Sequence, residues 1–325
     1  MALNLSIIII NYNSKLYIKK CIESIFLFFN SKKNDVKFGW EIIIVDNASN
    51  DGSVEFIEKK ISEAELFNIR LIKLSDNSGF SKASNIGAKN CRGEFLLFLN
   101  PDTEIIQEGL ENILKFYNEK LKTEKIGVIG VKILNPDGSL QYSCRSFPTL
   151  ARQFYESFFL QRLFKKSRFF GSYFMTYWDH YDNKKVDWLT GAFMLICRET
   201  FFQAGCFDED YFIYSEDTDL CLRLVKNGFI NYYCSDYSLR HTDAGIASQN
   251  PALREYQIWK SRKLYFKKNY SNFHAFILNV LYLAGVLNRI AVFGIPAMLK
   301  SKNPDFKTRF RVYINTLKLW RKQKY

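Results

Sequence analysis

Residues 41–53 read EIIIVDNASNDGS, a short apolar run that ends in Asp46 and passes into a segment of turn-forming residues. Short apolar runs bounded by turn signals are typical of buried strands. Similar runs occur at 5–10, 69–74, 94–99 and 126–133, and segments with helical periodicity lie between them at 15–29, 53–66, 82–91 and 106–121. This alternation predicts right-handed βαβ units, and therefore an α/β fold with a mainly parallel central sheet and flanking helices.

Polar side chains collect where three of the predicted strands end. Asn11 and Tyr12 follow the first run, Asp46 follows the second, and Asp102 follows the run at 94–99. In open α/β sheets, ligands bind beyond the carboxyl ends of the strands. The sequence therefore predicts a ligand site at this edge of the sheet.

Asp46 and the stretch Asn77–Asn85 have the residue types that suit a nucleotide. A carboxylate at Asp46 can accept the imide N–H of a pyrimidine base, although a capped turn between strand and helix explains the same residues. The stretch Asn77–Asn85 leads into a helix with small residues at its start, where backbone amides and the Lys82 ammonium suit a diphosphate. Neither feature is specific by itself.

Asp102 and His241 are candidate metal ligands. A carboxylate after an apolar strand can hold Mg²⁺ against a diphosphate, and a helix cap is the alternative for Asp102. A lone histidine is more often structural, but neutral imidazole is an acceptable ligand of Mn²⁺ or Mg²⁺ beside a carboxylate. His241 follows the predicted strand 229–234.

Glu216, Asp217 and Asp219 open a predicted helix at 217–227, between strand-like segments at 188–197 and 229–234. Acidic residues at a helix N-terminus complement the helix dipole, which explains one or two of the three. Adjacent carboxylates also repel one another and raise a pKa, which is how a general base is tuned.

Positive charge is concentrated in the C-terminal region. The 325-residue chain carries a net charge of +13, and residues 254–325 hold sixteen Lys and Arg against Glu255 and Asp305. Apolar residues interleave with this charge, so we expect an anionic membrane surface as the partner rather than nucleic acid. Residues 269–288 lack charged side chains and are just long enough to span a bilayer. Their polar residues favour helices lying in the interface, with a single span and a soluble packing helix as alternatives.

The seven cysteines are an odd number without a Cys-x-x-Cys pair, which predicts buried thiols in a reducing compartment. The N-terminal residues have no basic region, and their apolar run is too short for a signal peptide. We therefore expect a cytoplasmic protein that is peripheral on the inner face of the cell membrane.

Taken together, the strand-end residues, the Asn100-Pro101-Asp102 turn, the segment from Trp188 to Ala192, the Glu216–Asp219 run and His241 resemble the family 2 glycosyltransferases of the GT-A fold. The resemblance covers about residues 4–268. Within the family, the chain looks like the rhamnosyltransferase-like branch. It implies a GT-A domain at 1–268, with an aromatic and basic insertion at 143–187 near the acceptor site, and a basic helical tail at 269–325.

The resemblance also implies a function, which is inverting, metal-dependent transfer of a sugar from a nucleoside-diphosphate donor to a hydroxyl of a lipid-linked or polysaccharide acceptor in cell-envelope glycan synthesis. dTDP-L-rhamnose is the favoured donor, followed by UDP-hexoses. Asp217 would be the catalytic base, and Asp102 with His241 would hold Mg²⁺ or Mn²⁺. Acceptor binding would fall to Trp188, Gly191 and Glu216, and donor binding to Asn11, Tyr12, Asp46, Asp51, Asn77, Gly79, Phe80, Lys82 and Asn85.

One departure concerns the metal turn, where many relatives have Asp-x-Asp and this chain has Asn100-Pro101-Asp102. This leaves the identity of the metal open. Two other functions remain as alternatives. A sugar-phosphate nucleotidylyltransferase should carry a Gly-rich and basic triphosphate loop near its N-terminus, which Asn11–Lys15 is not. A non-enzymatic, basic membrane-binding protein would not require its strand-end carboxylates.

Overall fold

The structure, a computed structural model, describes residues 3–31, 39–63, 68–106, 109–243, 250–299 and 304–322. The chain divides into two compact units. Unit 1 is built from residues within Met1–Ser146, Asp179–Phe212 and Glu216–Asp243, and unit 2 from residues within Phe147–Trp178, Ile213–Ser215 and Ala244–Tyr325. The boundaries expected at residues 143, 187 and 268 stay predictions.

The five strands expected up to residue 134 are present with helices between them, and Thr103–Ile105 is an additional short strand. Residues 64–66 and 107–108 of two expected helices lie outside the described residues. The elements in chain order are β1 Leu3–Asn11, α1 Lys15–Ser31, β2 Gly39–Asp46, α2 Ser53–Glu63, β3 Ile69–Lys73, α3 Phe80–Lys89, β4 Phe95–Leu99, β5 Thr103–Ile105, α4 Leu110–Leu121, β6 Ile126–Leu134, β7 Leu140–Gln141, β8 Cys144–Arg145, α5 Leu150–Ser157, α6 Leu160–Leu163, β9 Lys184–Val186, β10 Trp188–Leu189, β11 Phe193–Cys197, α7 Arg198–Gln203, α8 Glu216–Lys226, β12 Ile230–His241, α9 Pro251–Asn269, α10 Asn272–Met298 and α11 Pro304–Lys322.

Unit 1 has a ten-stranded sheet at its centre, with the order β3-β2-β1-β4-β11-β6-β12-β5 and with β7 and β9 pairing at the sides. Of these strands, as far as the described residues show them, β1, β2, β3, β4, β6 and β12 run in the same direction. β11 is antiparallel to both of its neighbours. The expected α/β class with a mostly parallel sheet is confirmed.

The apolar runs are buried because helices cover the sheet. All five residues of β4 are buried, as are the isoleucines of β1 and β2, which is the usual composition of strands covered on both faces. The register of the paired strands then places polar residues side by side. Asn11 is the parallel partner of Asp46, and Ile9 is the partner of Leu99. The carboxyl ends of β1, β2 and β4 therefore lie at one edge of the sheet.

The segment 188–197, expected as strand, is divided between two sheets. β10 pairs with β8 in a small two-stranded sheet, whereas β11 enters the large sheet between β4 and β6. The backbone N–H of Thr190 donates to the Ser143 carbonyl at 2.8 Å, and Gly191 follows this contact as the chain passes towards the second sheet. Gly191 lies between β10 and β11. The first residue of β11, Phe193, pairs with Leu99 at the carboxyl end of β4, so Gly191 lies beside the sheet edge where the polar residues collect.

Unit 2 joins the aromatic segment to the C-terminal helices. Within it, α10 packs against α5, α9 and α11. Arg262 of α9 donates to Glu156 of α5 at 2.6 Å and to Gln153 at 2.7 Å. Among the described residues, α10 is the one helix that is long and apolar enough to cross a membrane by length and composition.

Candidate active site

The first cluster of the site lies at the ends of β1 and β2. The Asn11 amide group donates to Asp46 at 2.6 Å and to Ser53 at 2.8 Å, while its oxygen accepts from Ser14 at 2.6 Å. Asp46 also accepts from the backbone N–H of Ser49 at 3.0 Å. Asn11 and Asp46 are both buried. Asn11 therefore fixes the orientation of the Asp46 carboxylate, and Tyr12, with 40% of its surface exposed, stands next in the chain.

Asp51 joins the starts of two helices. Its carboxylate accepts from the backbone N–H of Lys15 at 2.8 Å and of Ser53 at 3.0 Å, so it caps both α1 and α2. Burial raises the pKa of Asp51, but these hydrogen bonds and that of the Ser53 hydroxyl outweigh it and hold the pKa below its usual value. The structure gives Asp51 this capping role, and its contact with the donor stays a prediction.

Asn47, which the donor-site prediction omitted, holds the loop before α3. Its amide group donates to Asn77 at 2.9 Å and to the Gly79 carbonyl at 3.2 Å, and its oxygen accepts from the backbone N–H of Ser78 at 2.9 Å. Asn47 is buried and directly follows Asp46. Its position beside a strand-end carboxylate was the available signal for including it.

The turn into α3 depends on Gly79. Its φ of 84° and ψ of 169° lie in a region that is essentially restricted to glycine. A Cβ at this position would also lie 2.6 Å from the Phe212 carbonyl oxygen. The N–H of Phe80 donates to that carbonyl at 2.7 Å, and Lys82 is exposed in the first turn of the helix.

Asn85 is buried and joins α3 to the loop after α7 by hydrogen bonds. Its amide group donates to the Phe207 carbonyl at 2.8 Å and to Glu209 at 3.0 Å, and its oxygen accepts from the Phe207 N–H at 3.0 Å. These three hydrogen bonds use most of the capacity of its amide. Contact between Asn85 and a donor therefore stays a prediction, and the structure gives the residue a stabilising role.

Asp102 and His241 meet at the carboxyl end of the sheet. Nε2 of His241 lies 3.1 Å from Oδ1 of Asp102, and both side chains are about nine-tenths buried. Adjacent ligands of an octahedral Mg²⁺ lie about 3 Å apart, since each is about 2.1 Å from the ion. A carboxylate oxygen and an imidazole nitrogen at this spacing fit a divalent metal as two of its ligands. Among the described residues, no group of three or more His, Cys, Asp and Glu side chains forms a closed metal site.

Gln141 orients the imidazole of His241. Nδ1 of His241 lies 2.7 Å from Oε1 of Gln141, and the Gln141 amide group donates to Asn135 at 3.0 Å. The assignment of the Gln141 oxygen towards His241 follows from this second bond, and it requires the proton on Nδ1. In the neutral ring, this tautomer directs the Nε2 lone pair towards Asp102, and it is the form that binds a metal. No signal in the sequence pointed to Gln141.

Asp217 lies beside Gly191 at the start of α8. One carboxylate oxygen accepts from the Gly191 N–H at 3.1 Å, and the other accepts from the N–H of Thr218 at 2.6 Å and its hydroxyl at 3.2 Å. Burial raises the pKa of Asp217, and these hydrogen bonds only partly offset that rise. An ionised carboxylate has about four acceptor positions, so one remains available on Oδ2.

Glu216 is buried next to Asp217. Burial, followed by the charge of Asp217, raises the pKa of Glu216 well above its usual value, and Oε2 finds no hydrogen-bond partner among the described residues. Tyr214 and Ser215, just before it, both have left-handed φ angles, 67° and 68°. Such strain costs of order 1–3 kcal/mol per residue and clusters at functional sites. Asp219 has a structural role, because it pairs with Arg223 at 2.7 Å.

Trp188 is buried, with one contact at its indole N–H and another over the face of its ring. Its indole N–H donates to the Ser146 carbonyl at 3.0 Å, and the guanidinium of Arg145 lies 5.1 Å from its ring centre. Of the expected acceptor residues, Glu216 directly precedes Asp217 in the chain, and Gly191 donates its backbone N–H to the Asp217 carboxylate. Acceptor binding by these residues stays a prediction.

Comparison with known proteins identifies the family of the chain. The sequence profile described as Glycosyl transferase family 2 matches residues 6–183. The chain is 28% identical over 222 residues to N-acetylglucosaminyl-diphospho-decaprenol L-rhamnosyltransferase of Mycobacterium tuberculosis, a region that covers 65% of this chain and 69% of the relative. It is 32% identical over 155 residues to rhamnosyltransferase WbbL of Escherichia coli K12, covering 46% and 52% of the two chains.

Solved structures agree on the fold. Mannosyltransferase PcManGT from Pyrobaculum calidifontis, in complex with GDP-Man and Mn²⁺, aligns with a TM-score of 0.56 at 14% identity over 97% of this chain and 85% of that one. S. aureus TarS aligns with a TM-score of 0.50 at 20% identity, and the match spans 83% of this chain but only 44% of TarS. At these identities the likeness concerns the fold, which is GT-A.

Proposed function

The chain belongs to glycosyl transferase family 2, and from that premise we propose that it moves a sugar from a nucleoside-diphosphate donor to a hydroxyl of a lipid-linked or polysaccharide acceptor. The observation that carries this proposal is the convergence of three carboxylates with different surroundings at one sheet edge. Asp46 is held by Asn11, Asp102 faces His241, and Asp217 faces Gly191. Family membership makes the chain a glycosyltransferase, which sets aside the nucleotidylyltransferase and non-enzymatic alternatives.

The donor would bind across the ends of β1 and β2 and the start of α3. Asp46 is oriented to accept the imide N–H of a pyrimidine base, with the exposed ring of Tyr12 against the base. The turn at Asn77 and Gly79, fixed by Asn47, leads to the N-terminus of α3, where amide groups and Lys82 suit the diphosphate. Phe80, beside them in the first turn, completes this part of the proposed donor site.

Asp102 and His241 would hold a divalent cation, Mg²⁺ or Mn²⁺. Their spacing of 3.1 Å and the Nδ1 contact of His241 with Gln141 support this assignment. When bound, such an ion neutralises charge that develops on the departing diphosphate, which contributes several kcal/mol to catalysis. The Mn²⁺ named in the structure of PcManGT is consistent with it.

Asp217 would act as the general base. Oδ2, which the Gly191 N–H holds in position, would take the proton of the acceptor hydroxyl while that oxygen forms a bond to the anomeric carbon. The bond from that carbon to the diphosphate breaks in the same step, so the sugar inverts and the nucleoside diphosphate leaves. Burial raises the pKa of Asp217 and so makes its carboxylate a stronger base. A base of this kind contributes roughly 10²–10⁴-fold.

The donor would be dTDP-L-rhamnose. The printed names of the relatives from M. tuberculosis and E. coli support rhamnose, and the former also supports an acceptor carried on a polyprenyl diphosphate. Such acceptors reside in the membrane, so we propose a place at its inner face, in synthesis of cell-envelope glycan. UDP-hexoses are the next donors to examine.

The first experiment is release of nucleoside diphosphate by the purified full chain. A panel of nucleotide sugars is supplied with Mg²⁺ or Mn²⁺, with and without membrane lipid extract, and Asp217→Asn serves as the control. We expect metal-dependent release from one donor, stimulated by the lipid and lost in the variant. Absence of both release and donor binding across the panel would contradict the proposal.

A further inference from the structure

The outer face of α10 is an exposed apolar stripe. Its members are three, four or seven residues apart, so that at 3.6 residues per turn they share one side of the helix. The stripe, as named here, consists of Phe273, Phe276, Val280, Leu287, Ala291, Ile295 and Met298, all exposed. Phe273 keeps 67% of its surface, Phe276 63% and Met298 74%. From Phe273 to Met298 the helix rises by about 38 Å. A continuous apolar stripe of this length is larger than a face in contact with water usually carries.

The opposite face of α10 is fixed within unit 2 by polar contacts. Asn279 accepts from the indole N–H of Trp259 at 2.9 Å, and Asn288 donates to the Ser157 carbonyl at 3.1 Å. Arg289, the one Arg or Lys of this helix, donates to the Glu156 carbonyl at 3.0 Å. A helix that crosses a bilayer has lipid on every side that no protein covers. To cross as a single span, α10 would have to leave these partners and carry an arginine into hydrocarbon, which is costly.

Unit 2 also carries the charge that anionic lipid attracts. Lys267 and Lys268, at the end of α9, are exposed just before α10 begins. The exposed segment 162–169, which reads RLFKKSRF, combines cationic side chains with Leu163 and Phe169, 71% and 63% exposed. Basic residues interleaved with aromatic and aliphatic ones are typical of surfaces that lie in the lipid headgroup layer.

We propose that the stripe of α10 lies flat in the interfacial layer of an anionic membrane while unit 2 stays folded. The helix would enter only to the depth of its outer face, and the basic side chains of unit 2 would meet the headgroups. This inference rests on the proposed function only for the choice of partner, because a lipid-linked acceptor places the enzyme at a membrane. A second copy of the chain and a soluble protein are the competing occupants.

Vesicle flotation with the full chain tests the surface. Phe276→Glu with Leu287→Glu places two charges on the stripe, and Leu27→Glu with Leu121→Glu places the same charges at exposed apolar positions in unit 1. On phosphatidylcholine vesicles that contain phosphatidylglycerol, we expect the stripe variant to lose at least about tenfold in the bound fraction, while the unit 1 variant binds as the parent does. Circular dichroism is measured on all three proteins to establish that they are folded.

Two results would overturn the inference. One is a folded stripe variant that floats as well as the parent; the other is a parent that does not bind the vesicles. A parent that is dimeric in solution and a stripe variant that is monomeric, with vesicle binding unchanged, would assign the stripe to a second copy. Metal-dependent nucleotide binding, measured by calorimetry without vesicles, reports on the proposed function alone. Failure of one proposal is therefore distinguishable from failure of the other.

Depth measurements test the flat orientation. Phe273→Trp, Leu287→Trp and Met298→Trp place an indole at the start, middle and end of the stripe, and lipids brominated at different depths quench its fluorescence. A flat helix gives a similar shallow depth at all three positions, relative to the parent. A spanning helix places Leu287→Trp deepest, and this result would contradict the proposal.

Discussion

Oδ1 of Asp102 lies 3.1 Å from Nε2 of His241, across 139 positions of sequence, because β5 and β12 pair side by side. Asp102→Asn keeps the shape of the side chain and removes its charge, so we expect binding of Mn²⁺ to weaken by about 10- to 100-fold or more. Calorimetric titration with a nucleoside diphosphate, with and without Mn²⁺, measures the effect. Equal affinities for the parent and the variant under both conditions would remove Asp102 from the metal site.

Gln141 is expected to act through His241. In Gln141→Leu the imidazole loses the acceptor that holds its proton on Nδ1, and we expect Mn²⁺ to bind about 10- to 100-fold more weakly. Gln141→Glu keeps an acceptor and should restore most of the affinity, which separates orientation from loss of packing. Electron paramagnetic resonance titration of free Mn²⁺ gives the dissociation constants. Unchanged binding in Gln141→Leu would refute the assignment.

Asp217→Asn is expected to leave donor binding near normal and to lower the transfer rate by roughly 10²–10⁴-fold. In the parent, the base must be ionised to accept a proton, and burial raises the pKa of Asp217. The rate should therefore fall as the pH is lowered through this raised pKa, and this acidic limb should be absent from the residual activity of the variant. Transfer by Asp217→Asn at a substantial fraction of the parent rate would exclude Asp217 as the base.

The free energy of unfolding should fall as the pH rises, because the buried Glu216 carboxyl then ionises. Burial and the charge of Asp217 raise its pKa when folded, so between the unfolded and folded pKa values the folded state binds more protons than the unfolded chain. Its contribution to the free energy of unfolding is fully present below the unfolded pKa and is lost as the pH rises through the folded pKa. Glu216→Gln, which cannot ionise, should flatten this dependence in thermal melts across the acidic and neutral range. A slope equal to that of the parent would contradict the prediction.

Gly79→Ala should destabilise unit 1 through both strain and contact. Its Cβ would be forced to a φ of 84° and to 2.6 Å from the Phe212 carbonyl. Gly138→Ala is a control matched in φ, since Gly138 has a φ of 82° and no atom within 4 Å of the added Cβ. Strain costs roughly 1–3 kcal/mol at such positions, so the control should lose about that amount and Gly79→Ala clearly more. Equal losses in chemical denaturation would show that the Phe212 contact is unimportant.

The order of elements in unit 1 could be predicted because periodicity is a local property. The five apolar runs expected as strands up to residue 134 are strands, and Asn11 and Asp46 are the last residues of theirs. Because parallel strands end at the same edge, even the gathering of Asn11 and Asp46 followed from the alternation of strands and helices. The reversal of β11 between β4 and β6 did not follow, since a short apolar strand carries no mark of its direction.

The sequence by itself determined the α/β fold, the strand ends and the candidate carboxylates, since each depends on residues close together in the chain. Only the tertiary structure decided what those side chains touch. Asn85 clamps Phe207 at a separation of 122 residues, and Gln141 reaches His241 at a separation of 100. The tertiary structure also decided which face of α10 packs against Trp259 and which face is exposed. Hydrogen bonds and packing faces depend on which distant segments lie opposite, and that is set by the packing of the whole chain rather than by any local pattern.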